Sequence, residues 1–173
     1  MINSSVAVNE ARKLIEQYGR ISPEELAENL GINVWPRNFA RQKGVYTIIL
    51  GEKYVFIKDD LSEEMRNIVL LHEIGHDRLH AGVLAEKGIL TEKADLFDNK
   101  NDIMEHEANV FAAEMLLDDD EILELVYQGF DVRQVASGLN ADENLVALKI
   151  AELNKRGFAF KEQEYENRFL KKI

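Results

Sequence analysis

His72 and His76 stand four residues apart in His72-Glu73-Ile74-Gly75-His76, inside a stretch that reads as a helix. A helical turn takes about 3.6 residues, so both imidazoles project from one face and reach a single metal ion. Glu73, one residue past His72, sits where its carboxylate reaches a water on that metal without being a ligand. The chemistry these residue types suggest is metal-assisted hydrolysis. A catalytic zinc takes three protein ligands and keeps its fourth position for water. The chain has no cysteine, so the third ligand must be His, Asp or Glu.

The stretch Asp102 to Leu117 (DIMEHEANVFAAEMLL) supplies a candidate in Glu105, with Asn109 four residues on along the same helical face. Glu105 would ligate, and Asn109 would hydrogen-bond a ligating side chain and fix its orientation. Ala108 and Ala112 lie near that face, and their small side chains would let this helix approach the histidine helix closely. A competing role exists for Glu105, because Asp102 and Glu105 have the spacing of a capping box that would serve their own helix end. Glu107 points to a different side and is the weaker candidate ligand. His80 continues the four-residue series, but each such step drifts about 40° around the helix. It is expected to pack or to support a ligand from behind. His106, rotated about 100° from Glu105, is expected to be exposed.

The elements that must position these residues are legible in pattern. Residues 7–19 place Val8, Ala11, Leu14, Ile15 and Tyr18 on one stripe. Ser22, Pro23 and Glu25 predict a capped helix over 23–30, ended by Gly31. Three β-type segments follow at 32–35, 45–50 and 54–57, the last two forming a hairpin. Strand 54–57 runs directly into the site helix and is expected to offer an edge for an extended substrate. Ser62 caps a helix through His80, with Gly82 just beyond its end. Residues 83–101 read as a long loop or partly helical connector. Asp118 to Asp120 interrupt the next helix and cap another over 121–127, and segments 131–137 and 142–155 are joined by a short turn in a helix-turn-helix-like shape.

Taken together, His72-Glu73-Ile74-Gly75-His76 and the run from Glu105 through Asn109 to Leu117 resemble the ImmA/IrrE family of zinc metallopeptidases. The resemblance covers roughly residues 22–117. It implies a gluzincin-like arrangement with His72, His76 and Glu105 as zinc ligands and Glu73 as base. It also implies a substrate class, helix-turn-helix repressors that control mobile elements or stress responses. One departure is visible: the family commonly follows its Leu-Leu with Met-Pro, where this chain has Leu117-Asp118-Asp119. That change touches the exit from the ligand helix rather than the site.

Composition sets the frame for these expectations. With 173 residues, 46% hydrophobic and 31% charged, the chain has the make-up of a globular protein with a real core. No apolar run approaches the roughly 20 residues of a membrane span, and the first residues lack a signal-peptide pattern. A cytoplasmic protein is the expectation. The net charge of −11 argues against a general nucleic-acid binder. Residues 144–173 hold seven Lys/Arg against four Glu, about +3, which leaves −14 for the rest. Helix 142–155 carries only Lys149 and Lys155 as basic residues, too few for a recognition helix, so docking of a protein or packing into the core is favoured over reading DNA. The expected architecture is α+β: a small, mostly antiparallel sheet packed on the two metal-site helices in residues 1–117, then a helical region over 118–173. The alternatives are a metal-binding regulator that does not cut, a DNA-binding protein, and a structural protein with a chance motif.

Overall fold

Ser22 Oγ accepts a hydrogen bond from the Glu25 amide, and the Glu25 carboxylate accepts one from the Ser22 backbone N–H, so the helix predicted at Pro23 begins where the capping box sets it. The computed structural model describes residues 4–87, 99–161 and 163–166, and for 84–87 and 99–101 the backbone alone. The described elements run α1 (Ser5–Tyr18), α2 (Pro23–Asn29), β1 (Ile32–Arg37), β2 (Gly44–Ile49), β3 (Glu52–Lys58), α3 (Glu63–Lys87), α4 (Asn99–Leu116), α5 (Asp119–Tyr127), α6 (Val132–Leu139) and α7 (Glu143–Lys155). The class is α+β. No helix among the described residues is long and apolar enough to cross a membrane.

The sheet has the order β1-β3-β2. β2 and β3 form the expected antiparallel hairpin, with Tyr46 opposite Val55. β1 joins β3 in parallel, Trp35 opposite Phe56. This makes β3 the central strand. The expectation that residues 54–57 offer a free edge therefore fails, because both sides of β3 are already paired by β1 and β2. One face of the sheet buries Ile32, Tyr46, Val55 and Ile57 in the core, and α3 packs along β2 and β3.

α3 starts where expected, with Ser62 Oγ accepting from the Met65 amide. It does not stop near Gly82 but continues to Lys87. A glycine inside a helix costs about 1 kcal/mol against Ala, less than the packing that anchors the preceding turns. α4 begins at Asn99, three residues before Asp102, so Asp102 is inside the helix and cannot cap it. Glu105 is thereby released from the competing capping-box role. Residues 88–98, the middle of the connector, lie outside the described residues.

α3 and α4 pack side by side, and α4 is flanked on its other sides by α1 and α7. Gly75 marks the point of closest approach: a Cβ there would lie 3.1 Å from Ala108 Cα, 3.3 Å from Ala108 O and 3.2 Å from the Phe111 ring. The buried side chains form one cluster, with Ile68, Leu70 and Ile74 of α3, Val110 and Phe111 of α4, and Leu145, Leu148 and Leu153 of α7.

Of the two roles expected for α7, docking of a protein and packing into the core, the structure shows the second. The turn before it is present, with Asn140 in the left-handed region at φ 49°, where Asn is tolerated. Residues Leu145 to Leu153 are all buried. Lys149 has no exposed surface, and its Nζ lies 2.8 Å from Glu114 and 2.6 Å from Asp119. A helix closed on every side and a lysine held by two carboxylates are not available to a phosphate backbone.

Two expectations follow from this packing. Gly75→Ala gains about 1 kcal/mol of helix propensity but incurs about 1–3 kcal/mol of overpacking. Its nearest neighbours include backbone atoms that cannot rotate away, so a net loss of roughly 1–2 kcal/mol is expected in urea unfolding. Lys149→Met should destabilise the fold by roughly 3 kcal/mol, the low end for breaking a buried pair, because Arg156 still faces Glu114 at 3.2 Å. A Lys149→Met unfolding midpoint equal to wild type would show that the buried ammonium contributes nothing.

Candidate metal centre

The side chains that the sequence singled out converge between α3 and α4. His72 and His76, one turn apart, bring their Nε2 atoms to 3.1 Å of each other. Glu105 of α4 faces both, with Oε2 at 3.4 Å from His72 Nε2 and Oε1 at 3.6 Å from His76 Nε2. The ligand atoms of the three residues all lie within 4.8 Å of one another, and both histidines are buried. Zinc bonds of about 2.0–2.1 Å in tetrahedral geometry separate neighbouring ligand atoms by about 3.3–3.4 Å. The donor set and its spacing therefore fit a small divalent cation.

Electrostatics agree with that fit. Burial alone would lower the His72 pKa, but Glu105, Glu73 and the Asn109 hydrogen bond outweigh it and hold the imidazole above the usual histidine value. In other words, the pocket favours a positive charge at this spot. Asn109 Oδ1 lies 2.8 Å from His72 Nδ1. An amide oxygen only accepts, so one proton sits on Nδ1, and in the neutral ring Nε2, which faces His76 and Glu105, carries the lone pair that a metal would take.

Glu73 lies on the side of α3 that faces the sheet. The backbone N–H of Tyr46 donates to Glu73 Oε2 at 2.8 Å. Gly44, also on β2, leaves the space this carboxylate fills, since a Cβ there would come within 2.9 Å of Glu73 Oε1 and 2.5 Å of Val69 Cγ1. Tyr46 is tied to α3 a second time, because its hydroxyl donates to Asp77 Oδ1 at 2.7 Å. Burial and the Asp77 carboxylate push the Tyr46 phenol well above its ordinary pKa. Lys53 completes the group, its Nζ 2.8 Å from Asp77 Oδ1. Sequence reasoning missed Gly44, Asp77 and Lys53 because their contacts are between strand and helix and leave no local periodic signal.

The other expectations separate cleanly. His80 is buried behind His76, with Nδ1 3.1 Å from His76 Nδ1 and Nε2 3.0 Å from Glu107 Oε2. His106 is corrected. It is buried rather than exposed, because its 100° rotation from Glu105 turns it toward α7, where Nε2 lies 3.6 Å from Glu152 Oε1. Peptide hydrolysis also calls for a donor to the oxyanion, and the sequence offers Tyr46, Tyr54, Arg78 and Tyr127 without favouring one; Tyr46 gives its hydroxyl to Asp77, and Arg78 is bound by Glu10 at 2.7 and 2.9 Å. Tyr54 stacks on Phe56, and Tyr127 is exposed against Phe160.

Comparison with known proteins adds to this geometry. A protein of Bacillus phage phi105 named "Uncharacterized immunity region protein 2" is 35% identical over 109 residues. That match spans 62% of this chain and 66% of the phage protein, a little under two thirds of its length. Residues 27–151, which hold the sheet, both helices of the candidate metal centre and most of α7, match the peptidase M78 family, described as the IrrE N-terminal-like domain. The chain belongs to the M78 peptidase family.

Proposed function

We propose that this protein is a zinc-dependent endopeptidase, with His72, His76 and Glu105 as metal ligands and Glu73 as general base. The observation that carries the reading is the meeting of two imidazoles and one carboxylate beside a glutamate that the sheet holds in place. Two nitrogen donors and a single carboxylate suit zinc, whereas calcium and magnesium take mostly or wholly oxygen ligands. Such an ion supplies positive charge that acidifies water and polarises a carbonyl. Glu73 accepts the proton of the attacking water and returns it to the amine nitrogen as the C–N bond breaks. The Tyr46 amide fixes the angle of that carboxylate, and Asn109 fixes the ring of His72.

The substrate we propose is a cytoplasmic helix-turn-helix repressor. The support is the family and the phage relative, whose name places it in an immunity region. A DNA-binding role for residues 131–155 has little to stand on, since α7 is buried and its Lys149 is paired inside the fold.

Metal content after dialysis tests the ligand set. Wild type should retain one zinc per chain, and His72→Ala or Glu105→Ala should lose it. Retention of stoichiometric zinc by Glu105→Ala would remove Glu105 from the set. A separate measurement isolates the chemistry. Glu73→Gln keeps shape and hydrogen-bonding capacity, so zinc should stay bound while cleavage of a repressor encoded beside this gene falls on the order of 10²–10⁴-fold. Cleavage at the wild-type rate by Glu73→Gln would rule out the base. A wild type that binds zinc but cuts no such repressor would point to a metal-binding regulator instead.

A further inference from the structure

Two polar residues next to the metal centre have no part in the reaction as proposed. His80 of α3 and Glu107 of α4 are in contact behind His76, and the order of their hydrogen bonds can be derived from donor and acceptor chemistry. A carboxylate only accepts, so across the 3.0 Å contact the proton is on His80 Nε2. A neutral imidazole carrying its proton on Nε2 has a bare Nδ1. That bare nitrogen is 3.1 Å from His76 Nδ1, and a hydrogen bond between the two needs its proton on His76. His76 is then bare at Nε2, the atom that faces His72 Nε2 and Glu105.

We propose that His80 and Glu107 form a positioning relay that holds His76 in the tautomer and rotamer able to take a metal. The inference rests on the metal-centre reading above. Asn109 does for His72 with a neutral amide what the relay does for His76 with a carboxylate acting through an imidazole. The two arms differ in kind. A carboxylate partner raises the electron density of the imidazole chain and makes the terminal nitrogen a stronger donor. The pair also bridges α3 and α4 one turn beyond Gly75, so the contact that orients the ligand also holds the two helices in register. His80 is held by Glu107 of α4, whereas Glu73 is held by the Tyr46 amide of β2, so the relay and the base are anchored by different elements.

The test uses full-length protein and zinc alone, with affinity read by competition against a chromophoric chelator at fixed pH. His80→Ala and Glu107→Ala should each still bind one zinc but about 10–100-fold more weakly, the usual effect of removing such an outer partner. The double variant should be no weaker than the worse single, because both act through one path. Glu107→Gln, which still accepts from His80 without the charge, should fall between Glu107→Ala and wild type. Nitrogen-15 NMR of the zinc-loaded protein should show protons on His76 Nδ1 and His80 Nε2. Wild-type affinity in both alanine variants overturns the relay, as does a proton on His80 Nδ1 with a bare Nε2. Complete loss of zinc in Glu107→Ala would make Glu107 a ligand and also overturn it. Failure of wild type itself to bind zinc would defeat the metal-centre reading, a result distinct from any of these.

Discussion

The site depends on two helix backbones coming close enough that no side chain fits between them. Gly75 has Ala108 and Phe111 where its own Cβ would be. This approach brings the histidines of α3 within bonding range of one metal together with a glutamate of α4, which a typical helix separation of about 8–10 Å set by larger side chains would place farther off. A glycine in mid-helix is a poor choice by propensity. Its position between the two histidines shows that separation, rather than local helix stability, governs the residue here.

α4 is addressed differently on each of its faces. Glu105 and Asn109 look toward the histidines of α3, Glu107 toward His80, His106 toward Glu152 of α7, and Glu114 toward Lys149 and Arg156. Apolar residues fill the spaces between them, among them Val110, Phe111 and Ala112. A helix surrounded by protein needs no solvent stripe. Its rotation is set by polar matches, each of which leaves a buried group unpaired if the helix turns or slides. Burial lowers the stability of the Glu152 carboxylate, but His106, Lys155 and Ser4 more than reverse this and bring its pKa below the ordinary value. That contribution is present above the usual carboxylate range and is lost as pH falls through the depressed value.

Local rules were enough to read much of this from the sequence. The capping box at Ser22, the cap at Asp118, the β2–β3 hairpin and the histidine helix each follow from residues within one turn of one another. The convergence of Glu105 and Asn109 on the histidines was legible because two histidines four residues apart call for a third donor, and four-residue spacing identifies its face. What escaped was set by distant partners. The burial of His106 and Lys149 depends on where α7 packs. The central place of β3 depends on β1 returning to pair in parallel. The hold of Tyr46 on Glu73 is a backbone contact across two elements, which no side-chain pattern announces.

A three-stranded sheet has two edges, and an open edge is a template on which copies of a protein can stack into aggregates. β2 is guarded at Tyr46, whose amide already binds Glu73, and at Gly44, which is pressed beneath Val69 and Glu73. β1 carries Pro36, which has no amide to donate, followed by the charged Arg37. Glu73 therefore has a second consequence as part of the sheet's defence against self-association. A variant that shortens this side chain leaves the buried Tyr46 amide of β2 without the acceptor that holds it.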